Sequence, residues 1–70
     1  MLLGITAKSI LKNILDNVGH DHLGADYPHH VGAIGYYKDS EVWVAFDNRT
    51  KNCWVEEFGT EGECINWIQN

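Results

Sequence analysis

The chain lacks most of what marks a specialised class. It has one proline, two cysteines, five Lys and Arg, and no long apolar run. With 44% hydrophobic residues and so little proline, it is neither a disordered tail nor a collagen-like repeat. No stretch approaches the roughly 18 apolar residues of a membrane span. Cys53 and Cys64 are too few and too far apart for a disulfide-dense scaffold or a CxxC zinc site. The bases are outnumbered by ten Asp and Glu, for a formal charge of −5. Duplex affinity comes largely from neutralising phosphates, so no direct nucleic-acid binding is expected.

Signals for export and catalysis are also missing. The N-terminus is apolar, but no basic region precedes it and Lys8 and Lys12 interrupt it, so it does not read as a secretory signal. The expected address is the cytoplasm, with both thiols reduced and the Asn48-Arg49-Thr50 sequon unused. Neither Ser9 nor Ser40 lies in a nucleophile elbow, and the glycines form no phosphate-cradling loop. The cysteines fall on expected core positions, away from every histidine, which leaves no Cys–His pair. The expectation is a protein that is not an enzyme.

What is present specifies one small α+β domain of 70 residues. Leu3, Ala7, Ile10, Leu11, Ile14 and Val18 recur at helical spacing. Thr6 reads as the cap and Gly19 as the left-handed terminator, which predicts a helix over Ala7–Val18. His20–Pro28, punctuated by Gly24 and Pro28, reads as a loop. Three strands are predicted next, at His30–Tyr37, Glu41–Asp47 and Asn52–Phe58, joined by polar turns. Thr60-Glu61-Gly62-Glu63 is a capping box, opening a second helix that runs to about Ile68. The expected order is α-β-β-β-α: a three-stranded antiparallel meander with a helix at each end.

Four-residue connections would set Tyr37 opposite Val42 and Asp47 opposite Asn52. One face of the sheet then collects Val31, Ala33, Gly35, Val42, Val44, Phe46, Cys53 and Val55. Small Ala33 and Gly35 suit this face as the floor for both helices, with Cys53 and Cys64 in one core. The other face carries Ile34, Tyr36, Trp43, Ala45 and Trp54, bordered by Glu56. Left open, such an aromatic face marks a contact surface, for a protein partner or for a second copy. One helix on each face would close it instead. The expected docking residues are Ile34, Tyr36, Trp43, Trp54 and Glu56, with the acidic Glu56, Glu57, Glu61 and Glu63 end as an electrostatic border.

All four histidines lie between positions 20 and 30, with Asp21 and Asp26 among them. Imidazole and carboxylate together suit zinc or nickel. His20 and His22 could both reach one ion from an extended loop. His29 and His30 are adjacent and point opposite ways in a strand, so one of that pair joins. The alternative function is therefore a metal-binding domain using His20, His22, His29 and Asp26. An exposed polar loop explains the same residues without a metal.

Residues 45–68 run from Ala45-Phe46-Asp47-Asn48-Arg49-Thr50 through Cys53-Trp54-Val55-Glu56-Glu57-Phe58-Gly59-Thr60 to Cys64-Ile65-Asn66-Trp67-Ile68. This stretch resembles small uncharacterised accessory proteins of phages and conjugative transposons. They share a strand, a polar turn, a strand with Trp and acids, then a capped helix ending in Trp. The resemblance implies an accessory of a mobile genetic element and carries over no catalytic residue. The first 30 residues lie outside it.

Overall fold

The computed structural model describes residues 1–22 and 24–70. Its elements are β1 (Leu2–Leu3), α1 (Gly4–Asp16), β2 (Gly19–Asp21), β3 (Gly24–Asp26), β4 (Ile34–Asp39), β5 (Val42–Asp47), β6 (Trp54–Phe58) and α2 (Glu61–Gln69). The α+β class stands, and β4, β5 and β6 form the expected antiparallel run. The simple meander does not stand. β1 adds a parallel strand on β4, giving a four-stranded mixed sheet in the order β1-β4-β5-β6. The segment read as a loop holds the separate β2–β3 hairpin.

Both differences trace to local chemistry. Leu3 keeps an extended backbone because β1 is hydrogen-bonded to β4, so α1 starts directly after it with no side-chain cap. Thr6, the expected cap, therefore sits inside the helix. Ala7, Leu11 and Ile14 form its buried stripe, as their spacing requires. At the other end the Asn17 side chain donates to the Asn13 carbonyl at 2.8 Å, and Gly19 is not the terminator. Gly19 lies in β2 opposite Asp26, where an added Cβ would collide with the Asp26 carboxylate.

One hairpin of the sheet is tighter than expected and the other is longer: two residues join β4 to β5, and six join β5 to β6. Tyr37 pairs with Val44 rather than Val42, and Asp47 with Trp54 rather than Asn52. Each displacement is two residues. Side chains alternate with period two, so an even slip leaves every residue on its expected face.

The helices do not share a floor. Ala7, Leu11 and Ile14 of α1 pack with Val44, Phe46 and Cys53 on one face. Cys64 and Ile68 of α2 pack with Tyr36 and Ala45 on the other, flanked by Ile34, Trp43, Phe58 and Trp67. The two cysteines are thus buried in different cores, on opposite sides of the sheet. Gly35 serves β1 rather than a helix: a Cβ there would lie 2.6 Å from the Leu2 carbonyl oxygen. The Thr60 cap of α2 forms as read, while the Glu63 carboxylate reaches back to the Thr60 hydroxyl. Thr60 Oγ1 accepts from the Glu63 N–H at 3.3 Å, and its hydroxyl donates to Glu63 Oε1 at 3.1 Å.

Candidate functional site

The expected aromatic face exists in composition but is largely roofed by α2. Tyr36 is buried, and its hydroxyl donates to Glu61 Oε2 at 2.9 Å, which ties β4 to the first turn of α2. That hydrogen bond, with burial behind it, pushes the Tyr36 phenol above its ordinary pKa. Trp43 is half-buried, its ring 6.1 Å from that of Tyr36, and Ile34 packs at the border of the same cluster. Three of the five expected docking residues are therefore core or core-edge. The reason is that one helix suffices for each face of so narrow a sheet.

Trp54 and Glu56 remain outside that roof. Trp54 is 59% exposed, whereas Trp43 and Trp67 are half-buried. It belongs to β6, an edge strand whose outer side pairs with no described residue. Val55 shows on the opposite face of the same strand, and Glu56 and Glu57 follow it, all exposed. Trp54 stands across from Asp47, which Arg49 grips with two nitrogens, the closest contact at 2.7 Å. This grip holds the Asp47 carboxyl below its usual pKa. A further guanidinium hydrogen bond, 3.3 Å to the Ile68 carbonyl, anchors the end of α2 beside it. The platform under Trp54 is thereby fixed.

A second feature was not anticipated from sequence. Where β1 stops, a cleft of about 450 Å³ opens between the first turns of α1 and α2. Ile5, Lys8, Tyr36, Lys38, Trp43 and Glu61 are among its walls. Lys8 Nζ stands 6.0 Å from the Tyr37 ring centre, and Lys38 Nζ 5.9 Å from that of Trp43.

The histidine set is spread out. His20 lies in β2, His22 in the following turn, Asp26 in β3, and His29 and His30 in the turn after it. His20 pairs with Ala25 while Asp26 pairs with Gly19, so His20 and Asp26 point to opposite sides of the ribbon. Among the described residues no three His, Cys, Asp or Glu come together as metal ligands. The Asp21 side chain lies outside the described residues. Among the described residues no helix is long and apolar enough to cross a membrane.

No protein-family model, no curated protein and no solved structure matches the chain.

Proposed function

We propose that this protein is a non-enzymatic interaction module that accepts an extended, basic segment of a partner protein along the outer edge of β6. The observation that carries this reading is Trp54, 59% exposed beside an edge strand. A strand added to an open edge gains main-chain hydrogen bonds, and side chains flanking the edge supply specificity. Trp54 offers the large apolar anchor on one face and Val55 a smaller one on the other. Glu56 and Glu57 select positive charge in the added strand.

The same glutamates disfavour a second copy as the occupant. Full antiparallel pairing of two β6 strands sets Glu56 against Glu56, and like charges directly opposite are destabilising. In the role implied by the likeness to phage and transposon proteins, the module serves as a cytoplasmic accessory that binds and regulates another protein.

The test uses a synthetic peptide of alternating Val and Lys, with a Val–Glu peptide as control. Amide chemical shifts are followed on the full chain. The Val–Lys peptide should move the β6 amides and the Trp54 indole, and Glu56→Lys with Glu57→Lys should abolish that response. Absence of saturable shifts in β6, or equal response to both peptides, overturns the reading. Concentration-dependent dimerisation through β6 would replace it with self-association.

A further inference from the structure

We propose that the cleft between the first turns of α1 and α2 is a binding site for a small organic monoanion with a flat apolar body, such as an aromatic carboxylate. The volume of about 450 Å³ lies in the ordinary range for small-molecule sites. The site is distinct from the β6 edge. It lies at the Trp43 end of β5, and Trp54 stands beside Asp47 at the other end.

The walls state the chemistry of the occupant. Trp43 and Tyr36, tilted 52° to one another, form an aromatic corner backed by the sheet. Ile5, 82% exposed on the first turn of α1, forms an apolar lip. A flat hydrocarbon body laid against Trp43 and Ile5, with the buried Tyr36 behind, would take their exposed surface out of water.

The charge at the rim fixes the rest. Lys8 and Lys38 line the cleft with a single acid, Glu61. Two positive charges and one negative leave a surplus of one positive, inside a chain whose total is −5. Lys38 makes no ion pair among the described residues, and the Lys8 partner, Asp39, stands 4.0 Å away with both side chains more than half exposed. Either lysine can therefore turn to a ligand carboxylate with little loss. A cationic ligand is disfavoured, since both lysines already face the aromatic rings it would seek. A polyphosphate is disfavoured because one surplus charge cannot neutralise it.

The experiment titrates the full chain with indole-3-propionate and, separately, with its uncharged amide, following amide and indole N–H shifts. The carboxylate should saturate shifts at Leu3, Gly4, Lys8 and Lys38 and at the Trp43 indole. It should bind on the order of tenfold more tightly than the amide, as one charge-assisted hydrogen bond provides. Lys8→Gln with Lys38→Gln, both at exposed positions, should bring the carboxylate down to the level of the amide. Trp43→Ala should weaken both ligands. Equal affinity of acid and amide, indifference to the lysine changes, or no saturable shift at the cleft each overturns the proposal. None of these outcomes bears on peptide binding at β6, so the two readings fail separately.

Discussion

The side-chain oxygen of Asn48 accepts a hydrogen bond from the backbone N–H of Cys53 at 3.1 Å, bridging the loop between β5 and β6. Its amide nitrogen donates to the carbonyls of Tyr27 and His29, at 2.9 and 3.0 Å. Its own backbone pairs with Ala33 and Gly32. One fully buried polar side chain thus joins the end of β5 to the approach of β6 and to the segment that leads into β4. The β5–β6 loop takes left-handed backbone at Lys51 and Cys53, and the Asn48 bond to Cys53 closes it. The buried side chain also removes the glycosylation sequon from any enzyme acting on the folded protein.

Asn48→Ala should therefore cost on the order of 3 kcal/mol, because it leaves one N–H and two carbonyls without partners in a closed site. Asn48→Asp should cost at least as much despite its size, since an oxygen would replace the donor facing two carbonyl oxygens. Urea unfolding checks both. An Asp variant as stable as the parent would show that the donor side of Asn48 does not matter.

Gly35 sets the parallel strand. With a Cβ at 2.6 Å from the Leu2 carbonyl oxygen, Gly35→Ala must push β1 off β4. The expected loss is about 1–3 kcal/mol, the usual range for overpacking. Amide exchange should accelerate at Leu2 and Leu3 and at the start of α1 before it does in β5. Unchanged protection of β1 would mean the strand has room to slide.

How much of this was legible in the sequence depended on which signals survive an error. The face assignment of Tyr36, Trp43, Val44, Ala45, Phe46 and Trp54 was right although both registers were off, because each slip was two residues. The β4–β5 turn gave no warning of its tightness. Ser40 takes the positive φ of 56° that Gly or Asn usually supplies, so no Asn-Gly or Asp-Gly signature marked it. β1 was illegible because two residues carry no period. The separation of the helices onto opposite faces was open in sequence, since either arrangement buries the same apolar stripes. The cleft was invisible for a different reason: it needs β1, α1 and α2 placed together, and no short motif encodes that.

Asp47 provides a pH signature. Arg49 lowers its folded-state pKa, so this carboxylate favours the folded chain above its unfolded value of about 4. The contribution disappears as pH falls through the lower folded value. In an acid titration from about pH 5 downward, Asp47→Asn should start less stable than the parent, and the gap should close as acid is added. A parallel pair of curves would show that the Arg49 grip does not act through charge.

Trp54 should be nearly silent in stability. An exposed edge residue away from a cap or a core changes folding by about 0.5 kcal/mol or less. Phe46→Ala, in the core beneath α1, should cost about 3–5 kcal/mol. Thermal unfolding of the two variants side by side separates contact surface from core. A Trp54→Ala variant as damaged as Phe46→Ala would make that indole structural and withdraw it as a docking anchor.

The thiols supply the last constraint. Burial pushes both Cys53 and Cys64 above the ordinary thiol pKa, with Asp47 adding to the first and Glu63 and Glu61 to the second. The thiolate is the reacting species, so alkylation of the folded protein at pH 7 should be slow at both positions and fast in denaturant. The sheet between them forbids a bond in the folded state: Cys53 packs with Phe46 under α1, and Cys64 with Ala45 under α2. Mild oxidation of the folded chain, read by mass spectrometry after digestion, should give no Cys53–Cys64 linkage. Finding that linkage without prior unfolding would mean that one helix leaves its face readily, which would also open Tyr36 and Trp43 to partners.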